Sequence, residues 1–271
     1  MFYRRIVVLC TIGVIFFVSV ATFAGFLSSY DPNTTSLYNV NKGPSKDHIL
    51  GTDYLGRDVY TRLMYGARVS LLIGVLAVML AAIIGVFFGL CAAYFGGWVD
   101  IIIMRLCDSV MAIPNIMFAL ALIIIFGSGL ANLAVILGLT VVPGFIRMMR
   151  GQALSVKELD YIMFATTQGA KDFYLMIKHI LPNSISPIIV LMTQLVGMTI
   201  LMESGLSFLG VGIKVPTASW GSMVSEGKNY LLVNPAVAIV PGICIAILVV
   251  CLNVVGDGVR DALDPKLRGE V

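Results

Sequence analysis

Apolar residues in this chain run in long blocks, with the charges gathered between them. A helix needs roughly 20 residues, at 1.5 Å each, to cross about 30 Å of hydrocarbon. Six blocks come near or exceed that length: residues 6–27, 69–94, 99–126, 130–145, 185–202 and 236–255. The first is longer than the apolar part of a signal peptide, about 7–15 residues, and reads as a retained span. The second carries no charge. The third opens with Arg105 and Asp108, followed by Pro114, while Glu203 and Asp257 close the fifth and sixth. The pattern predicts an all-α membrane protein with six transmembrane helices: one N-terminal span within residues 1–28, a polar segment over 29–68 with an amphipathic helix, and a five-span core over 69–271.

Composition agrees with the blocks. Apolar residues make up 59% of the 271 and charged residues 12%, about half the charged share usual in a soluble domain. That excludes an ordinary cytosolic enzyme and a disordered chain. The net charge of +3 gives no reason to expect a polyanionic partner, so no nucleic acid is expected, and lipid is the expected surrounding. Cys10, Cys91, Cys107, Cys244 and Cys251 sit in apolar runs without a CxxC pair and read as reduced, small apolar side chains. His48 and His179 are the two histidines, and neither falls within a span. No metal cluster is expected.

Lys and Arg concentrate on the inner side of a membrane protein. With both termini inside, the inner segments hold Arg4, Arg5, Arg105, Arg147, Arg150, Lys157, Lys171, Lys178, Arg260, Lys266 and Arg268, eleven of the 18 cations. Lys42, Lys46, Arg57, Arg62, Arg68, Lys214 and Lys228 fall outside. The bias favours both termini in the cytoplasm. It leaves an outer segment at 28–68, an inner loop at 148–183 and a second outer loop at 206–234.

The inner loop is the most informative stretch. In VKELDYIMFATTQGAKDFYLMIKHILPNSISP (residues 156–187), Tyr161, Phe164, Ala165 and Gln168 lie at helical spacing and predict a short amphipathic helix from Asp160 to Gln168. Gly169 and Ala170 interrupt it. Phe173, Met176, Ile177 and Ile180 then form a second apolar stripe, which Pro182 is expected to stop, with Pro187 in the first turn of the fifth span. Such a helix, turn and helix suits docking into a groove of a soluble partner whose motion carries the attached spans. A helix resting on lipid headgroups gives the same pattern.

Other polar residues have two readings each. Asp53, Arg57, Asp58, Arg62 and Arg68 suit an outer amphipathic helix facing a partner, or internal pairing such as Asp58 with Arg62 at i,i+4. Trp220 and Tyr230 suit partner contact or interfacial anchoring. Arg105 and Asp108, three apart, read as a structural pair or a solute site, and Glu203 as a gate residue or as support for the loop after it. Asp257, Arg260, Asp261 and Asp264 read as solvated or touching a cytoplasmic partner. Gly85, Gly89, Gly138, Gly144, Gly197 and Gly205 suit close helix packing.

The inner loop resembles the "EAA" loop of ABC-importer permeases. Ala165 stands at its second Ala, Gly169 at its Gly, and Ile180, Leu181 and Pro182 at its end, while Met163 and Phe164 replace its Glu and first Ala. HILGTDYLGRDVYTRLMYGARVSL (48–71), GGWVDIIIMRLCDSVMAIP (96–114), LSFLGVGIKVPTASWGSMVSEG (206–227) and VGDGVRDALDPKL (255–267) are similar to segments of the oligopeptide, dipeptide and nickel permease group, and to its C-type subunit most. The resemblance covers nearly the whole chain after about residue 45. It implies the type I ABC importer permease fold and a heterodimeric pore with a second permease subunit. It also implies two ATPase subunits that bind ATP and Mg, and an extracytoplasmic solute-binding protein. The chain itself has no G-x-x-x-x-G-K-[ST] loop, so it is expected to be no enzyme and to hold no cofactor. On this reading Asp160, Tyr161, Phe164, Ala165, Gln168, Gly169, Ala170 and Phe173 contact the ATPase. Asp53, Arg57, Asp58 and Trp220 face the binding protein, and Arg105, Asp108 and Glu203 are intramembrane or gate positions. Di- or oligopeptides are the favoured cargo, with nickel or a metal chelate the alternative. A secondary transporter would need inverted repeats and midplane coupling residues, and an intramembrane hydrolase a Ser–His or paired-Asp set. Neither pattern is visible.

Overall fold

The computed structural model describes residues 2–263, with side chains from Arg4 onward; the expectations for Asp264, Lys266 and Arg268 lie outside the described residues. The order is α1 (Phe2–Thr22), α2 (Ala24–Leu27), α3 (Val59–Phe95), α4 (Gly97–Met111), α5 (Asn115–Phe126), α6 (Leu130–Lys157), α7 (Asp160–Thr167), α8 (Asp172–Leu175), α9 (Leu181–Phe208), α10 (Trp220–Gly227) and α11 (Ala236–Leu263). Among the described residues the only β pairing is one isolated antiparallel bridge, Thr52 to Asp58.

Five helices are long and apolar enough to cross a membrane, or six if α4 and α5 count as one bent span. The expected third span is therefore not one rod. α4 and α5 meet at 93°, because Pro114 has no N–H to donate and disfavours helical backbone at Ile113.

Helices also outrun the apolar blocks. α3 starts ten residues before position 69, where the Asp58 carboxylate accepts from the Thr61 N–H at 2.7 Å. Its 37 residues reach about 55 Å at 1.5 Å each. The expected amphipathic helix of the 29–68 segment is thus the first turns of α3. Before it, residues 31–58 fold as turns, with one 3-10 turn over Leu37–Asn39. α6 continues past Phe145 to Lys157 because Arg147 and Arg150 find acidic partners on α4.

Pro182 does not stop the helix that precedes it. From Asp172 to Phe208 the chain is continuous, through a wide π turn at Met176–Ile180 in which the Leu181 N–H donates to the Met176 carbonyl. The wider turn makes room for a ring that would otherwise press on the carbonyl four residues back. Pro187 lies inside α9 rather than in a first turn.

α3 lies along α6, and two glycines set the distance. A Cβ at Gly85 would come 2.2 Å from the Phe145 Cβ, and one at Gly89 would come 2.6 Å from the Ile146 carbonyl oxygen. Phe145, Ile146 and Met149 pack there with Val78, Ala81 and Ala82. Gly144 and Gly205, expected in such contacts, face open space. α1 packs on α11 and α3, burying Phe17 edge-on against the Trp220 ring.

Candidate functional site

The two ends of α3 hold the two groups of residues that the sequence singles out. At its C-terminal end lies the α7 hairpin. Glu158 ends α6, Leu159 is extended, and Asp160 opens α7, where an acid suits the positive end of the helix. Ile162 is 2% exposed and packs with Val156, Met176 and Ile180, so α7 is pinned from beneath. The helix ends in a Schellman motif: Gly169 has φ +79°, its N–H donates to the Thr166 carbonyl, and the Ala170 N–H donates to the Ala165 carbonyl. A side chain at Gly169 would be strained in that left-handed backbone.

With Ile162 facing inward, the other apolar side chains face away. Phe164 is 66% exposed and Phe173 75%. Tyr161, Met163, Tyr174 and Ile177 are exposed too, as are Asp160, Gln168 and Gly169, while Ala165 and Ala170 are half-buried. The expected helix, turn and helix is present, and most of the residues expected to contact a partner are exposed on it.

Polar ties fasten the hairpin to the bundle. Lys157 Nζ donates to the carbonyls of Tyr94, at 2.6 Å, and Ala93, at 3.3 Å, meeting the negative end of α3. The Tyr94 hydroxyl donates to Asp172 Oδ1 at 2.7 Å, and Asn183 Nδ2 donates to the Tyr161 hydroxyl at 3.2 Å. Arg150 holds Asp100 with two bonds of 2.5 and 2.6 Å. The expected Arg105–Asp108 pair does not form. Asp108 accepts from Arg147 at 2.5 Å, because α6 lies beside α4, and Arg105 is exposed on another face.

The opposite end is built the other way round. Asp53, Arg57 and Arg62 are each 1% exposed, so they cannot present themselves to a binding protein as expected. Arg57 Nε donates to Asp53 Oδ2 at 2.6 Å, and Arg57 Nη2 to Glu226 Oε2 at 2.7 Å. Arg62 reaches Asp53 at 3.5 Å and Glu226 at 3.4 Å, and donates to the Pro32 and Pro216 carbonyls. Burial pushes the Glu226 carboxyl above its ordinary range, against the pull of Arg62 and Arg57. Asp58 does not pair with Arg62. It caps α3 and accepts from His48 Nδ1 at 2.9 Å, and His48 lies against the Tyr30 ring.

Trp220 is neither a partner contact nor an interfacial anchor. It is 1% exposed, its ring N–H donates to the Leu63 carbonyl at 2.9 Å, and its backbone N–H donates to the Ser70 hydroxyl at 3.1 Å. Tyr230 stacks on Tyr54. Glu203 is fully buried and supports the loop: its Oε1 accepts from Ser207 at 2.7 Å and from Ser219 at 2.9 Å. Ser219 is the N-cap of α10 and forms a reciprocal capping box with Ser222. Glu203 Oε2 has no partner among the described residues. Sequence reasoning missed Glu226, His48, Ser219, Tyr94 and Asp172. Glu226 carried a signal, as the sole acid in residues 206–234.

Residues 81–269 match a family described as the binding-protein-dependent transport system inner membrane component. The glutathione transport system permease protein GsiD of Pectobacterium atrosepticum is 41% identical over 266 residues, 98% of this chain and 88% of its own length. Its Escherichia coli counterpart is 40% identical over 257 residues, 94% of this chain and 85% of its own. A solved structure of the MetNI methionine ABC transporter in inward facing conformations covers 75% of this chain and 96% of its own, with a TM-score of 0.59 at 18% identity, which speaks for the type I fold alone. The chain belongs to the binding-protein-dependent inner membrane component family, as a permease subunit of an ABC importer that carries no catalytic activity of its own.

Proposed function

We propose that this subunit forms half of a path for small peptides or peptide-like solutes, paired with a second permease, and that its α7 hairpin is the handle by which a cytoplasmic ATPase moves it. One observation carries the coupling part: Phe164 of α7 and Phe173 of α8 stand outward, 66% and 75% exposed, on a hairpin whose direction the buried anchor Ile162 and the Gly169 cap fix. Exposed aromatic side chains on a rigid helix suit a protein groove. The relatives named for glutathione transport support the cargo class, since glutathione is itself a tripeptide.

In this reading both termini and the α7 hairpin are cytoplasmic, and the α10 end faces the binding protein. ATP and Mg sit on two partner ATPase subunits. Closure of the ATPase pair carries α7, and with it α6, α8 and α9 as a packed unit. Tyr94, Lys157 and Asp172 pass the motion to α3, whose far end holds α10. The outer gate opens, solute enters from the binding protein, and hydrolysis reverses the motion.

The test is uptake by the complete complex in proteoliposomes. Labelled dipeptide and labelled glutathione should enter in an ATP-dependent manner, and chelated nickel should not. Phe164→Asp with Phe173→Asp should cut uptake at least tenfold, with the complex losing its ATPase chains on purification. Wild-type uptake by that double variant would overturn the handle.

A further inference from the structure

One stripe along α9 is open toward its α10 end. Met198 and Leu201 are about half exposed, and a side chain at Gly205 would meet nothing within 4 Å. Positions 187, 191, 194, 198, 201 and 205 recur at steps of three and four, so they share one face. Toward the α7 end the same face turns polar. Asn183, Ser186 and Gln194 line a groove of about 570 Å³ with Gln152 of α6 and Arg260 of α11. Gln194 Nε2 donates to Asp257 Oδ1 at 3.2 Å, which brings a carboxylate beside it. Pro187, Val190 and Leu191 give the groove an apolar floor.

Gln194 lies inside the 185–202 apolar block, where an amide facing lipid tails is costly and turns toward water, solute or protein. Here three helices each turn polar groups into one concavity, whose volume lies in the range of small-molecule sites, roughly 300–1,000 Å³. A flat subunit contact would not need the hollow. The donor and acceptor set is specific: a guanidinium for a carboxylate, a carboxylate for an ammonium, and amides that both donate and accept. Those are the groups of a short peptide with free ends. Met198 and Leu201, next along the stripe toward α10, are exposed apolar side chains of the kind that closes a path to polar solutes. Asn183 also bonds to Tyr161 of α7, which ties the groove to the hairpin.

We propose that this groove is a solute site for short zwitterionic peptides in the α7 half of the path, with Gln152, Gln194, Asp257 and Arg260 as its contacts and Met198 and Leu201 as the barrier toward α10. The proposal rests on the reading of the chain as a peptide importer.

The experiment uses the complete transporter with its own binding protein in proteoliposomes, and reads the ratio of Lys-Ala to Glu-Ala dipeptide uptake. Because the binding protein is unchanged, its selection cancels between variants, and the ratio does not depend on how much complex folds. Gln194→Glu adds a negative charge to the groove and should raise the ratio at least fivefold over wild type; Gln152→Glu should raise it in the same direction. An unchanged ratio in both variants would overturn the site. Loss of the copurifying second permease from both variants would overturn it as well, assigning the groove to subunit contact. If the wild-type transporter takes up neither dipeptide nor glutathione, the peptide reading itself fails, a result separate from a flat ratio on an active transporter.

Discussion

The α7 end and the α10 end place their chemistry in opposite senses. At α7 the aromatic side chains turn outward, and a single isoleucine holds the helix from within. At α10 the charged side chains turn inward: Asp53, Arg57, Arg62 and Glu226 bind two distant stretches of chain, residues 53–62 and α10, to one another. An outward apolar face suits the grip proposed for the ATPase. An inward ion cluster is of no use to a partner and is built to hold. Force entering at one end should therefore move the other as a block, since α3 and the continuous 172–208 helix run between them.

The largest effect should come from opening the inward cluster. Arg62→Ala leaves Asp53 and Glu226 buried with one cation fewer, and breaking such a pair costs about 3–5 kcal/mol. Thermal unfolding of the purified complex in detergent should show a large drop in Tm, and an unchanged Tm would count against a holding role. Trp220→Ala comes next: a cavity in place of a buried indole costs about 3–5 kcal/mol when the site cannot collapse, and its neighbours Phe17 and Leu63 are fixed by two helices. Trp220→Phe keeps most of the volume and loses the bond to the Leu63 carbonyl, so about 1–2 kcal/mol is expected, read by the same melts.

Effects at the outward end should separate stability from transport. Gly169→Val forces a branched side chain into left-handed backbone, at about 1–3 kcal/mol locally, and should lower uptake more than it lowers Tm. Phe164→Ser should change stability by no more than about 0.5 kcal/mol, as surface substitutions do, yet reduce uptake severalfold. If Phe164→Ser instead destabilised the protein as strongly as Arg62→Ala, the contrast between the ends would fail.

Hydropathy found the long helices well and their ends less well. All six apolar blocks fall on helices, though the third, read as one span, is two helices broken at Pro114. The ends were misplaced because a span stops being apolar where lipid ends, whereas a helix stops where capping or a partner ends it; Asp58 and the Arg150–Asp100 pair decide the limits of α3 and α6. Gly169 was legible because the Schellman motif is local. The charges at 53–62 were misread because spacing says which residues share a side, and not what that side meets. Their acidic partner, Glu226, lies 169 residues from Arg57. Arg105 and Asp108 failed for the same reason, with Arg147 supplying what no local pattern contains.

The wide turn at Met176–Ile180 fixes the rotational phase of everything after it. Each residue of an α-helix advances about 100° about the axis, given 3.6 residues per turn. The wide turn holds one residue more than an α turn, and it takes the extra residue up locally, since five residues of π helix advance the chain about as far around the axis as four of α helix. A residue deleted between Leu181 and Gln194, where no wide turn can absorb the change, would swing the rest of α9 by about that 100°; the side now carrying Gln194 and Met198 would leave its setting, and Glu203 would lose its place under Ser219. Length changes after Ile180 should accordingly be far less tolerated than a deletion within the wide turn or a change in residue type on the same helix.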